Sequence, residues 1–422
     1  MSYRLTKLAN GATILTVPQP ESLSVSIMAL ADAGAKNEDK KISGISHFLE
    51  HMGFKGTNSR PSSLDLSSEL DALGASYNAF TSHNATAYYI TVVPDKAETA
   101  VDLLSDIYLH SIYPSAEMNK ERGVIIEEIK LYEDQPHSFV WDVFSKLAYA
   151  GTRAGQLVIG ERATVSAITR EDLVAYRMKH YLAEATTIIA VGNFTEEEMI
   201  KLLSAKFSSL SSGEKKICPV VEETQTEPRI ELAKRPIEQS HLVLGFKSAN
   251  LFDDKIYSLI VLAGILGGGM SSRLFQKVRE ELGAAYYIGA SQNSNLDHGF
   301  LAIYSGVDAP RLKIVISAIM AEIKKIKTEI IPARELTRVK DHLIGNLFLG
   351  LETPSNQTYF YGEQILAGKE ILSPRQYAQK IKAITAEELN DLANEVFQPN
   401  RLNLAMVGPD CSLAEIKRLL SV

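Results

Sequence analysis

Leu70-Asp71-Ala72-Leu73-Gly74-Ala75-Ser76-Tyr77-Asn78-Ala79-Phe80-Thr81-Ser82 has a counterpart in the second half of the chain, Arg279-Glu280-Glu281-Leu282-Gly283-Ala284-Ala285-Tyr286-Tyr287-Ile288-Gly289-Ala290-Ser291. Gly74 and Gly283 stand 209 positions apart. Ala167-Ile168-Thr169 recurs as Ala383-Ile384-Thr385, and Val191-Gly192 as Val407-Gly408, both at an offset of 216. The order is kept and the offset is nearly constant, as expected of a duplicated unit.

Within the first half, residues 24–32 and 86–93 have strand character, and residues 186–191 form a buried-strand run. Residues 95–110, 116–133 and 170–181 carry helical periodicity. These patterns predict an α+β fold, with two homologous domains in tandem and helices layered on a largely antiparallel sheet in each. Strand order does not follow from them. The join falls where Ser208-Ser209-Leu210-Ser211-Ser212-Gly213-Glu214-Lys215-Lys216 is polar and aperiodic, followed by Pro219 and Glu222-Glu223. The expected boundaries are 1–210 for the first domain, 211–226 for a linker and 227–422 for the second domain.

A chain of 422 residues has room for more than one core. Its net charge of −7 without a long basic run argues against nucleic acid as a partner. Cys218 and Cys411 are too few for a disulfide framework and fit a reducing compartment. No apolar run approaches the roughly 20 residues needed to span a bilayer. The N-terminal residues lack the apolar core of a secretory signal. A cytoplasmic protein is expected.

The chemistry lies in Ser43-Gly44-Ile45-Ser46-His47-Phe48-Leu49-Glu50-His51-Met52-Gly53-Phe54-Lys55. On a helix, residues three and four apart share a face, so His47, Glu50 and His51 converge. Two histidines one turn apart make half of a zinc site, and the carboxylate between them can deprotonate a metal-bound water. This H-x-x-E-H spacing is the inverse of the H-E-x-x-H zinc peptidase motif. A surface helix that carries two histidines is the plain alternative. A catalytic zinc needs a third protein ligand, and the best candidates are the acids of Glu121-Arg122-Gly123-Val124-Ile125-Ile126-Glu127-Glu128. Glu121 and Glu128 are seven apart and share a helix face, with Val124 and Ile125 between them.

With these motifs together, the chain resembles the pitrilysin-type inverted-zinc metallopeptidases, in the short two-domain branch like the bacterial and mitochondrial processing peptidases. That family places a glutamate ligand 77 residues beyond the second histidine, which here is Glu128, with a companion acid at Glu121 that orients the ligands. Its Arg/Tyr pair, seven apart, matches Arg279 and Tyr286, and Gly267-Gly268-Gly269-Met270-Ser271-Ser272-Arg273 before them also follows the family. Its substrate-pairing edge strand matches Asn78-Ala79-Phe80-Thr81-Ser82. Two departures stand out. Asn84 replaces a usual glutamate, and the acid pair that selects arginine in the mitochondrial enzymes is here Ser138 and Asp142, so only half of that pocket remains.

The resemblance implies one Zn²⁺ per chain on His47, His51 and Glu128, with Glu50 as general base and then general acid. Arg279 and Tyr286 would bind the substrate backbone. Asn78, Ala79, Phe80 and Asp142 would contact substrate. It implies a metalloendopeptidase acting on short, unfolded or presequence-like peptides in a closed chamber. A homodimer in which Arg279 and Tyr286 complete the partner's site is expected. The alternative is a non-catalytic core or partner subunit of a processing-peptidase-like complex. Trp141, the tyrosines at 359–361 and the remaining histidines read as packing residues, and residues 351–397 carry no recognisable chemistry.

Overall fold

Two sheets with one shared plan organise the chain. The computed structural model describes residues 3–215, 220–222 and 224–420, so Cys218, Pro219 and Glu223 near the expected join lie outside the described residues. The first sheet contains β1 (Arg4–Lys7), β2 (Thr13–Pro18), β3 (Val25–Ala31), β4 (Ser76–Thr81), β5 (Thr86–Val92) and β6 (Thr186–Gly192). Its order is β1-β2-β6-β3-β5-β4, and only β2 and β6 run parallel. The second contains β7 (Arg229–Lys234), β8 (Gln239–Lys247), β9 (Ala285–Ser294), β10 (Gly299–Asp308) and β11 (Leu402–Gly408). Its order is β7-β11-β8-β10-β9, with β7 and β11 the parallel pair. Without β1 the two orders are the same, so the repeat read from scattered tripeptides is a repeat of topology.

Central strands are covered on both faces, which is why β3, β6 and β11 are buried throughout and read as near-continuous apolar runs. Along β3 the period of two divides the side chains cleanly. Val25, Ile27 and Ala29 join a core with Phe48, Leu104, Leu173 and Leu203, whereas Met28 and Leu30 join a second core with Ile189, Val191 and Tyr361.

The opening repeat has a structural reason. Gly74 and Gly283 both take left-handed backbone, with φ +61° and +53°. Each ends a helical segment and feeds the edge strand of its sheet, β4 or β9. At Gly74 the chain closes with Gly74 N–H donating to Asp71 O (2.9 Å) and Ala75 N–H to Leu70 O (3.2 Å), a Schellman ending that glycine favours.

The contiguous domain boundaries expected from the sequence differ from the compact units. The first unit comprises Met1–Ile129, Gln156–Cys218 and Leu349–Ser373, and the second Lys130–Gly155, Pro219–Phe348 and Pro374–Val422. The halves have therefore traded a helix. Pro136–Ala148, from the first half, lays Val140, Phe144 and Ala148 on Val243, Ala302 and Ala405 of the second sheet. Trp141 of the same helix meets Phe144, Phe300 and Tyr304, as a packing residue. Pro354–Leu366, from the second half, buries Tyr361 in the first sheet's second core and stacks Tyr359 on Phe80, with ring centres 5.1 Å apart. Each sheet has an apolar face needing a cover, and helical periodicity shows that a helix has an apolar face without saying which sheet receives it. No helix among the described residues is long and apolar enough to cross a membrane.

Candidate metal centre

The helix Ile45–Met52 is only eight residues long, too short to persist alone in water. Packing holds it. Ile45, Phe48, Leu49 and Met52, spaced i, i+3, i+4 and i+7, lie in the first core, and each fully buried side chain of this kind contributes roughly 1.5–3 kcal/mol. The Tyr88 hydroxyl donates to Leu49 O at 3.0 Å and ties the helix to β5. The opposite face carries His47, Glu50 and His51.

Glu128 reaches that face from the 19-residue helix Ser115–Glu133. His47 Nε2 and His51 Nε2 are 3.3 Å apart, and Glu128 Oε2 lies 3.8 Å from the first and 3.5 Å from the second. A tetrahedral site with bonds of about 2.0–2.1 Å has edges of roughly 3.3 Å, so these donors fit Zn²⁺ with little adjustment. The helix's buried positions are Met118, Glu121, Ile125 and Ile129. Val124, expected on the same face, is instead exposed.

Glu121 takes an orienting place. Its Oε1 accepts from His51 Nδ1 at 2.8 Å, and its Oε2 pairs with Lys55 Nζ at 2.7 Å. That contact selects the tautomer leaving His51 Nε2 directed at the cluster. His47 differs, because its buried Nδ1 has no hydrogen-bond partner among the described residues.

The electrostatics favour a cation. Burial, with help from His51, pushes His47 down to about 3, leaving it as the neutral imidazole that ligation requires. Burial raises Glu50 and Glu128 against the opposing pull of His51. Burial also pushes His51 down, but its Glu121 hydrogen bond and the charges of Glu121, Glu50 and Glu128 outweigh this and leave it raised. Burial pushes Glu121 up, but the His51 and Lys55 hydrogen bonds outweigh it and leave the carboxyl low. Three carboxylates in one partly desolvated cluster repel, and a divalent ion relieves that repulsion. Glu50 stands on the same helix face, hydrogen-bonded by Thr81 of β4.

β4 ends its sheet and pairs only with β5 among the described residues. There Asn78 is exposed, with its side-chain oxygen accepting from Ala79 N–H at 2.9 Å, while Ala79 is buried against the metal helix's core. Phe80 turns to the other face, towards Tyr359.

Arg279, Tyr286 and Asp142 belong to the second unit. The Arg279 guanidinium lies 4.9 Å from the Phe275 ring centre and 6.0 Å from that of Tyr286, a residue that is 78% exposed. Phe275–Glu281 is wound as a π-helix, a form concentrated at functional sites. Asp142 lies partly buried on the traded helix, where desolvation pushes it up to about 6 against the pull of Lys146. Sequence reasoning missed Lys55 and Thr81. Lys55 had a signal, as a cation four residues past His51, whereas Thr81 was read only as part of the strand at 78–82, with nothing to mark its contact with Glu50.

The family model described as Insulinase (Peptidase family M16) matches residues 13–162, and that described as Peptidase M16 inactive domain matches residues 167–343. The uncharacterized zinc protease YmxG of Bacillus subtilis is 35% identical over 401 residues, 95% of this chain and 97% of its own length. An uncharacterized zinc protease of Rickettsia felis is 32% identical, covering 97% of this chain and 98% of its own. Among solved structures, a protease from Helicobacter pylori matches with TM-score 0.90 at 21% identity, covering 97% of this chain and 99% of its own. A peptidase M16 inactive domain from Pseudomonas fluorescens matches with TM-score 0.89 at 18% identity, covering 98% and 99%. With the inverted motif intact in the first domain and the duplicated fold carried through both, this chain belongs to peptidase family M16, in its short form of two domains in tandem.

Proposed function

We propose that the chain is a zinc-dependent endopeptidase that cleaves short unfolded or presequence-like peptides. The observation that carries this reading is the convergence of His47, His51 and Glu128 at ligand spacing, with Glu50 on the same helix face. Zinc held there would polarise the scissile carbonyl and acidify a water. Glu50, which ligates nothing in this reading, takes a proton on its carboxylate and delivers it to the departing amine nitrogen. Glu121 keeps His51 turned toward the cluster while Lys55 holds Glu121. The peptide lies extended along the open edge of β4, past Asn78, Ala79 and Phe80, and main-chain hydrogen bonds accept many sequences. Arg279 and Tyr286 donate to the peptide backbone near the cut. Asp142 favours a basic side chain on the substrate.

The protein acts in the cytoplasm as a homodimer, with Arg279 and Tyr286 of one chain serving the other's metal site. The alternative of a non-catalytic subunit draws on the inactive-domain description, but that match covers residues 167–343 and none of His47, Glu50, His51 or Glu128. Cleavage of an unstructured peptide mixture, followed by mass spectrometry, tests the proposal. Activity should disappear with a zinc chelator, return with added Zn²⁺, and fall by about 10²–10⁴-fold in Glu50→Gln. Cleavage that continues undiminished in both the chelated protein and Glu50→Gln refutes it.

A further inference from the structure

The metal helix begins on a residue that cannot cap it. Gly44 is its N-cap, with φ +93° and no side chain to accept a hydrogen bond. A Cβ there would stand 2.7 Å from Ile159 O and 2.9 Å from Gly160 Cα, so neither the backbone angle nor the space admits the usual Ser, Thr or Asp. The N–H groups of the first turn still require acceptors.

Glu38, six residues upstream, supplies them. Its Oε2 accepts from Gly44 N–H at 2.7 Å and its Oε1 from Ser46 N–H at 2.9 Å. The residue is completely buried, and desolvation pushes its carboxyl up to about 7 despite these bonds. Burying an acid is costly, and the usual cap that would satisfy these donors at lower cost is the one that Gly44 excludes.

What the buried position adds is a connection. The segment leading to Glu38 sits on the β4–β5 turn: Ala35 N–H donates to Ser82 O (3.2 Å), Lys36 N–H to His83 O (3.0 Å), and Thr86 Oγ1 to Ala33 O (2.8 Å). On the helix side, Ser46 Oγ bonds the Tyr176 hydroxyl at 2.9 Å, and that hydroxyl donates to Gly34 O at 3.3 Å. One carboxylate therefore joins the hairpin carrying the open edge to the residue preceding His47.

We propose that Glu38 is a positioning residue for the metal centre, fixing the height and roll of the helix Ile45–Met52 against β4 so that His47 and His51 meet Glu128. The inference rests on the zinc peptidase reading. Its test compares wild-type and Glu38→Gln protein by zinc titration against a competing chelator, visible absorption after Co²⁺ substitution, and thermal melting of the metal-free form. The amide keeps the volume but turns an NH₂ group toward one of two N–H donors. The zinc dissociation constant should rise about tenfold, the usual scale for groups that orient metal ligands, and the Co²⁺ bands should change. A lower melting temperature with wild-type zinc affinity and wild-type Co²⁺ bands overturns the inference, leaving Glu38 a role in stability alone. Should Glu38→Gln not fold, Glu38→Asp, which keeps the charge but draws the carboxylate one methylene back from the Gly44 and Ser46 N–H groups, takes its place. A smaller weakening of the same sign is then expected, and unchanged affinity and spectrum overturn the inference. Wild-type protein that takes up no zinc refutes the peptidase reading and this inference with it. Zinc-binding wild type beside an equally tight variant refutes this inference alone.

Discussion

Glu128 and Glu121 share one helix and differ in what each one meets. Glu128 Oε2 faces two imidazole nitrogens at 3.5–3.8 Å, whereas both Glu121 oxygens are engaged, by His51 Nδ1 and Lys55 Nζ. Glu128→Gln should therefore lower bound zinc well below one per chain in elemental analysis while the fold persists. Full zinc occupancy in that variant would remove Glu128 from the ligand set. At this scale, spacing made His47, Glu50 and His51 legible, because three- and four-residue separations on a helix have one geometric outcome. Glu38 and Thr81 were not legible. Each acts across a turn or from another strand, and no local pattern distinguishes a buried acid in Lys36-Asn37-Glu38-Asp39-Lys40 from a solvated one.

At the level of elements, the traded helix Pro136–Ala148 is held to its sheet chiefly by Phe144, which is fully buried and lies edge-on to Phe300 at 5.1 Å. Phe144→Ala should cost about 3–5 kcal/mol in urea unfolding, the range for deleting a buried phenylalanine. A cost below about 1 kcal/mol would show that the helix does not seat as described. The strands and helices themselves were readable. Residues 24–32, 86–93 and 186–191 correspond to Val25–Ala31, Thr86–Val92 and Thr186–Gly192, and residues 116–133 to Ser115–Glu133. The destination of Pro136–Ala148 and Pro354–Leu366 was not readable, because an apolar stripe specifies that a helix must be covered and leaves the choice of sheet to tertiary packing.

For the whole molecule, the candidate metal ligands belong to one unit and Arg279 and Tyr286 to the other. If chains pair and complete each other's sites, Glu50→Gln and Arg279→Ala chains should rescue one another. After subunit exchange at equal amounts, about one quarter of sites would combine both intact residues, and peptidase activity should rise toward that level. A mixture no more active than its components refutes completion in trans.

Sequence alone determined the duplication, the α+β class and the metal ligand candidates, since each rests on periodic spacing or on a repeat at a nearly constant offset, and its motifs carried the resemblance to the family. Tertiary structure alone decided the strand order, the exchange of helices between halves, the contact of Glu121 with Lys55, and the hydrogen bonds from Glu38 to the start of the helix Ile45–Met52. These depend on which surfaces meet after the chain has folded back on itself, and burial at such long-range contacts leaves no periodic trace in the order of residues.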